Sequence, residues 1–141
     1  MHYMITGQVI INDVVAKVLK STLKMYVNGE VYREGQRPRD SRKEDIVVVY
    51  TSGYAGQRAS GVVTINVFVP DIAPFGDTGV LVSDGSRCAQ IEQWAQDMAD
   101  SWTARTGDIR YTLREVIHTN HDDERAESFV VVKFNYEYLN I

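Results

Sequence analysis

The segment HTNHDDE, His118 to Glu124, puts two imidazoles and three carboxylates within seven residues. Imidazole and carboxylate are ordinary donors for zinc and other divalent ions, so this is the sharpest candidate for metal chemistry. The spacing matches no closed metal site, however, and Asn, Asp and His are common turn formers. The segment therefore reads first as a solvated hairpin tip. A metal-dependent enzyme using His118, His121 and Asp122 is kept as the competing class. A second acidic pair, Glu44-Asp45, directly precedes an apolar run and reads as an edge-of-sheet pair. The single cysteine, Cys88, lies on the apolar side of an amphipathic stretch, where nothing marks it as an activated thiolate.

Other catalytic signatures are missing. The glycine-containing GYAGQ and GDTGV lack the Gly-Lys-Ser/Thr pattern that cradles phosphates. There is no GxSxG elbow and no CxxC pair. Sequence reasoning thus names no catalytic residue, no cofactor-binding residue and no metal ligand, and expects a protein that is not an enzyme.

The densest charge lies in YREGQRPRDSRKEDIVVVY, Tyr32 to Tyr50, with nine ionisable side chains between Arg33 and Asp45. Five are basic (Arg33, Arg37, Arg39, Arg42, Lys43) and four acidic (Glu34, Asp40, Glu44, Asp45). No aromatic ring is interleaved, whereas a single-strand platform wants net charge plus stacking rings. Mixed signs suit contacts between protein subunits better. The whole chain is 141 residues long with a formal charge of −4, which argues against binding duplex DNA through a basic surface. One domain is expected. No export signal and no apolar run of membrane-spanning length is found, so a soluble protein made in a reducing cytoplasm is expected.

These residues must be positioned by a small set of elements. Val15, Val18, Leu19, Thr22 and Leu23 recur at helical spacing, predicting a helix over Asn12–Tyr26, capped by Asn12 or Asp13 and stopped at Asn28-Gly29. Residues 1–11 are ambiguous between an extended arm and an early helical turn. Ile46–Thr51 reads as a strand buried on both faces. Gly61–Val69 alternates as a strand paired with it across a loop of about nine residues. A second helix is predicted over Ser86–Arg105 and closed by Gly107, with Trp94 and Trp102 on one face and packed against a sheet. Ile109–His118 and Glu127–Leu139 read as two further strands. The fold class is α+β: a mainly antiparallel sheet of about four strands with two helices packed on one face. The connection from Pro70 to Ser86 is too long for a simple link, and its Ile72, Phe75, Val80 and Leu81 are expected to lie across a surface.

The order of elements, together with GEVYREGQRPRDSRKEDIVVVY, GVVTINVFVPDI and ESFVVVKFNYEYL, resembles the tail-terminator or tail-completion proteins of long-tailed bacteriophages, including versions carried by prophages of Bacteroides-like bacteria. The resemblance spans nearly the whole chain and is one of pattern. It implies a structural subunit that forms a ring of six on the last ring of the tail tube, stops tube polymerisation and presents a surface to the head connector. The partners it implies are the chain itself, the tail tube protein and the connector protein, with no membrane and no specific nucleic-acid binding. The implied location is the host cytoplasm during assembly and then the head–tail junction of the virion. A head-completion protein at the connector is the nearest alternative.

A ring needs heterologous interfaces that close, each built from roughly 800 Å² per partner. Arg37, Arg39 and Arg42 are the expected ionic contacts, and Phe75 and Leu81 the expected apolar ones. Reversing Arg37 and Arg39 to Glu is expected to leave folding intact and to abolish virion assembly.

Overall fold

The computed structural model describes residues 5–56, 58–76, 79–102 and 108–139. The predicted helix end at Arg105 and stop at Gly107 lie outside these residues. The first helix, α1, spans Gly7–Leu19, with the Thr6 hydroxyl accepting from the Val9 N–H as its cap. It buries Ile10, Ile11, Val14, Val15 and Val18, spaced as one face of a helix should be. The predicted single helix to Tyr26 is in fact broken. The Ser21 hydroxyl donates to the Val18 carbonyl at 2.6 Å and accepts from the Lys24 N–H, so one serine ends α1 and caps α2, Thr22–Tyr26. Asn12 and Asp13, expected to cap, lie inside α1 and reach the rest of the fold instead. Arg33 donates to Asn12 at 2.7 Å, and the Tyr111 hydroxyl donates to Asp13 at 2.7 Å.

Strands β1 (Val31–Arg33), β2 (Ile46–Tyr54) and β3 (Arg58–Pro70) precede helix α3 (Gly85–Trp102); β4 (Ile109–Leu113), β5 (His118–Asp122) and β6 (Glu127–Leu139) follow it. They form one mixed sheet in the order β1-β2-β3-β6-β4, with β5 also on β6. The class is α+β as expected, but with six strands and three helices among the described residues in place of about four and two. The strand predicted over Ile109–His118 ends at Leu113, and His118–Asp122, expected within a solvated hairpin tip, is instead strand β5; β4 and β5 lie end to end along the same flank of β6. β1 pairs parallel with β2, and every other pairing is antiparallel.

Register divides the sheet cleanly. Ile46 and Val48, then Val63, Ile65 and Val67, then Val130, Val132 and Phe134 are cross-strand neighbours on one face. With the apolar sides of α1 and α3 they make a single core. The opposite face carries Val47, Asn66 and Val131 in one row and Val49, Thr64 and Lys133 in the next, while the described helices pack their apolar residues on the core face. Burial on both sides of β2 therefore holds only for Ile46–Val48.

The β2–β3 connection is much shorter than nine residues, because pairing continues to Tyr54↔Ser60. Gly53 and Gly61 face each other there. A Cβ at Gly61 would collide with the Ser52 carbonyl, and one at Gly53 with the Tyr50 and Tyr136 hydroxyls. The two glycines leave room for those tyrosines to close the end of the core, hydroxyl to hydroxyl at 2.7 Å.

Candidate interaction surfaces

Arg37 is the hub of the charged arm. Its Nε donates to Asp45 at 2.9 Å and its Nη1 to Glu127 at 3.0 Å, while the guanidinium lies 3.9 Å from the Phe68 ring centroid. All three side chains of this ion cluster are nearly buried, Arg37 being 10% exposed, Asp45 1% and Glu127 2%. Asp45 also accepts from the Ser41 hydroxyl and the Glu30 N–H. Burial opposes its ionisation, but the bonds from Ser41, Glu30 and Arg37 prevail and hold its carboxyl below the usual aspartate range.

A second tie is reciprocal. Arg42 donates to the Arg125 and Ala126 carbonyls at 2.6 and 2.8 Å, and Arg125 donates back to the Arg39 carbonyl at 2.7 Å. The arm is thus latched to the turn between β5 and β6. Of the three arginines expected to reach a neighbour, Arg37 and Arg42 are engaged within the chain, while the Arg39 side chain is exposed. The expectation that Arg37→Glu leaves folding intact is corrected on this ground: it would put a third carboxylate beside those of Asp45 and Glu127, both nearly buried.

Arg87, which sequence reasoning did not single out, does for Glu44 what Arg37 does for Asp45. It grips both Glu44 oxygens at 2.6 and 2.8 Å, bonds the Tyr26 carbonyl at 2.9 Å, and lies 4.9 Å from the Trp94 ring centroid. Trp94 stacks on Tyr26 and Trp102 on Phe134, and both tryptophans, half-buried, pack against the core.

The histidine segment is not gathered. His118 and His121 are three apart on β5, which turns them to opposite faces of the sheet. His118 contacts the Val116 carbonyl. His121 lies 3.0 Å from Asp71 through Nε2 and 2.9 Å from Asp123 through Nδ1, contacts that favour its protonated form and raise its pKa, Asp71 contributing most. Among the described residues no group of three or more His, Cys, Asp or Glu side chains is placed to hold a metal. Cys88 lines a cleft of about 300 Å³ with Glu92, Thr119, His121 and Ser128. Burial pushes its thiol up, the reverse of an activated nucleophile.

The stretch from Pro70 to Ser86 is an arm with a defined base. Ile72 and Val82 exchange backbone hydrogen bonds of 2.8 and 2.9 Å. Beyond that bridge Phe75 is 64% exposed and Val80 and Leu81 48% each; Leu19, Met25 and Val116 are exposed elsewhere on the surface. At the other end of the sheet, on the face opposite the core, a groove of about 410 Å³ is bounded by Val62, Arg110, Thr112, Arg114, Asn135 and Glu137. No helix among the described residues is long and apolar enough to cross a membrane.

No family model matches the chain, and no curated protein matches it. A solved structure whose name states no activity is similar over 77% of each chain, with 18% identity and a TM-score of 0.42, too loose a likeness to bear on fold or function.

Proposed function

We propose that this chain is a structural assembly protein of a long-tailed phage or prophage, a tail-terminator subunit that forms a ring on the tail tube, halts its polymerisation and joins tail to head connector. The observation that carries the reading is the apolar arm. Phe75, Val80 and Leu81 stand exposed beyond a hydrogen-bonded base, on a body whose charged arm is tightly latched. Apolar side chains clustered on one exposed arm mark a contact surface better than singly exposed ones do. A ring of such subunits would act by shape and by the placing of faces, and would need no reacting group. Its place of action would be the cytoplasm of the host and then the head–tail junction.

The test is the native mass of untagged protein by light scattering over a wide concentration range. A closed hexamer, or a concentration-driven rise to one, is expected. A strict monomer at every concentration refutes a self-assembling ring.

A further inference from the structure

The sheet ends in two different edges. β1 lies outermost on one side and β4 on the other, and among the described residues neither has a strand beyond it. On an edge strand the backbone groups of alternate residues point away from the sheet. The Ile46 N–H donates to the Glu30 carbonyl and the Glu34 N–H to the Val48 carbonyl, so Glu30, Tyr32 and Glu34 face β2 while the backbone of Val31 and the Arg33 N–H turn outward. The Arg114 N–H donates to the Lys133 carbonyl, so by the same alternation Ile109, Tyr111 and Leu113 turn theirs outward from β4. Open edges of this kind are templates for another strand.

The side chains say which edges match. Tyr32 is level with Val47 on the face opposite the core. Glu30 and Glu34 flank it at two-residue spacing, both exposed and neither in an ion pair among the described residues. On β4, Arg110, Thr112 and Arg114 share that face, since Tyr111 between them is buried in the core. Both arginines are exposed and lack an acid among the described residues. Arg114 bonds the Asn135 amide oxygen at 3.1 Å, and Glu137, across from Arg110, is held by Arg58 at 2.7 Å. One edge thus offers acid, ring, acid; the other offers base, hydroxyl, base, at the same spacing.

Direction matches as well. β1 is parallel to β2, and β2, β3, β6 and β4 alternate, so β1 and β4 run opposite ways. Three strands hold them about 19 Å apart within one chain, and only a second copy can bring them together. We propose that β1 of one copy adds antiparallel to the β4 edge of the next, with Glu30 opposite Arg114, Tyr32 opposite Thr112 and Glu34 opposite Arg110. This register also sets the outward backbone of Val31 against Leu113 and of Arg33 against Tyr111, so hydrogen bonds and charge pairs demand the same alignment. The inference rests on the ring reading above and gives it a contact. The two edges differ, so every copy offers one of each and the contact runs head to tail until the rotation closes. Tyr32 is level with Val131 and Thr112 with Asn135, so successive copies step by four positions, about 13 Å, which a tilt of the strands against the ring axis absorbs.

The test is a charge swap read by light scattering. Glu30→Arg with Glu34→Arg sets like charges opposite Arg110 and Arg114, and Arg110→Glu with Arg114→Glu sets them opposite Glu30 and Glu34. Each double reversal is expected to raise the concentration at which the ring forms by about tenfold or more. All four together are expected to bring it back near wild type, with far-ultraviolet circular dichroism unchanged throughout. As a second readout, Tyr32→Cys and Thr112→Cys are mixed and mildly oxidised; the native Cys88 is buried. Non-hydrogen-bonded pairs bring side chains closest, so a disulfide joining one chain of each type is expected, with neither variant cross-linking alone. A wild-type ring that gives no mixed disulfide, or whose assembly the reversals leave untouched, overturns the edge pairing while the ring stands. A wild type that remains monomeric at every concentration overturns both.

Discussion

Replacing Arg37 by Met keeps an apolar stem of similar length over Phe68 and deletes the charge that faces Asp45 and Glu127. What remains to Asp45 is the Ser41 hydroxyl and the Glu30 N–H; what remains to Glu127 is the Arg125 Nε at 2.9 Å. Two nearly inaccessible carboxylates then lose their main counter-charge, and breaking a buried pair in this way costs about 3–5 kcal/mol. A domain has only about 5–15 kcal/mol of stability in all, so the variant should melt about 10–15 °C lower at a size where each kcal/mol moves the midpoint by a few degrees. The assay is urea unfolding followed by far-ultraviolet circular dichroism and extrapolated to water, with Arg39→Ala as a control expected within about 0.5 kcal/mol of wild type. The pH dependence adds a second readout. Asp45 has a folded pKa below its ordinary value of 3.8, so its contribution is complete above that value and is lost as pH falls through the folded pKa. Without Arg37 that pKa rises, and the gap between wild type and variant should narrow in acid. A cost under about 1 kcal/mol, equal at pH 7 and pH 4, would refute the picture of a buried ionic hub.

Arg87→Gln should cost about 3 kcal/mol by stranding Glu44, whose side chain is 7% exposed; urea unfolding would show it, and a loss no larger than that of Arg39→Ala would contradict it. The Tyr111 phenol is raised above its ordinary 10.0 by burial and by the bond to Asp13, so it contributes stability below pH 10 that is lost as pH climbs toward the folded value. Tyr111→Phe should accordingly flatten the alkaline limb of the stability profile. The imidazole of His121 should titrate above 6.5 by proton NMR, and Asp71→Asn should bring its midpoint down. Gly61→Val should abolish or distort folding, because its Cβ would occupy the space of the Ser52 carbonyl.

Alternation made β3 and β6 legible, since Val63, Ile65 and Val67 and then Val130, Val132 and Phe134 repeat every second residue over long strands. The Ser21 break was hidden because the apolar periodicity runs through it, and only the hydroxyl's two bonds reveal that one serine ends one helix and starts the next. β1 is three residues long and owes its existence to a parallel partner fifteen residues on, which no local pattern announces. The charged arm was legible as a concentration of charge but not as a latch. Arg37 finds Glu127 across 90 residues, and Arg42 finds backbone carbonyls whose acceptor role is independent of residue type. Phe75 and Leu81 were readable as surface candidates because apolar residues in an overlong connection have no periodic face on which to hide. The groove was not, since Val62, Arg110 and Asn135 come from three separate strands.

The dominance of β6 bears on how the molecule is made. β3 bonds to it along its whole length, and among the described residues β4 and β5 pair with no other strand. Pro70 therefore waits for Glu127, 57 positions later, an interval of roughly 3–11 s on a translating ribosome. Until the final strand leaves the exit tunnel, the β2–β3 hairpin exposes an unpaired edge and a full row of valines, conditions that favour misassociation on polysomes. Nascent chains should thus depend on holdase protection, and stalling release shortly before β6 should yield protease-sensitive product even though three helices and most strands have already been synthesised.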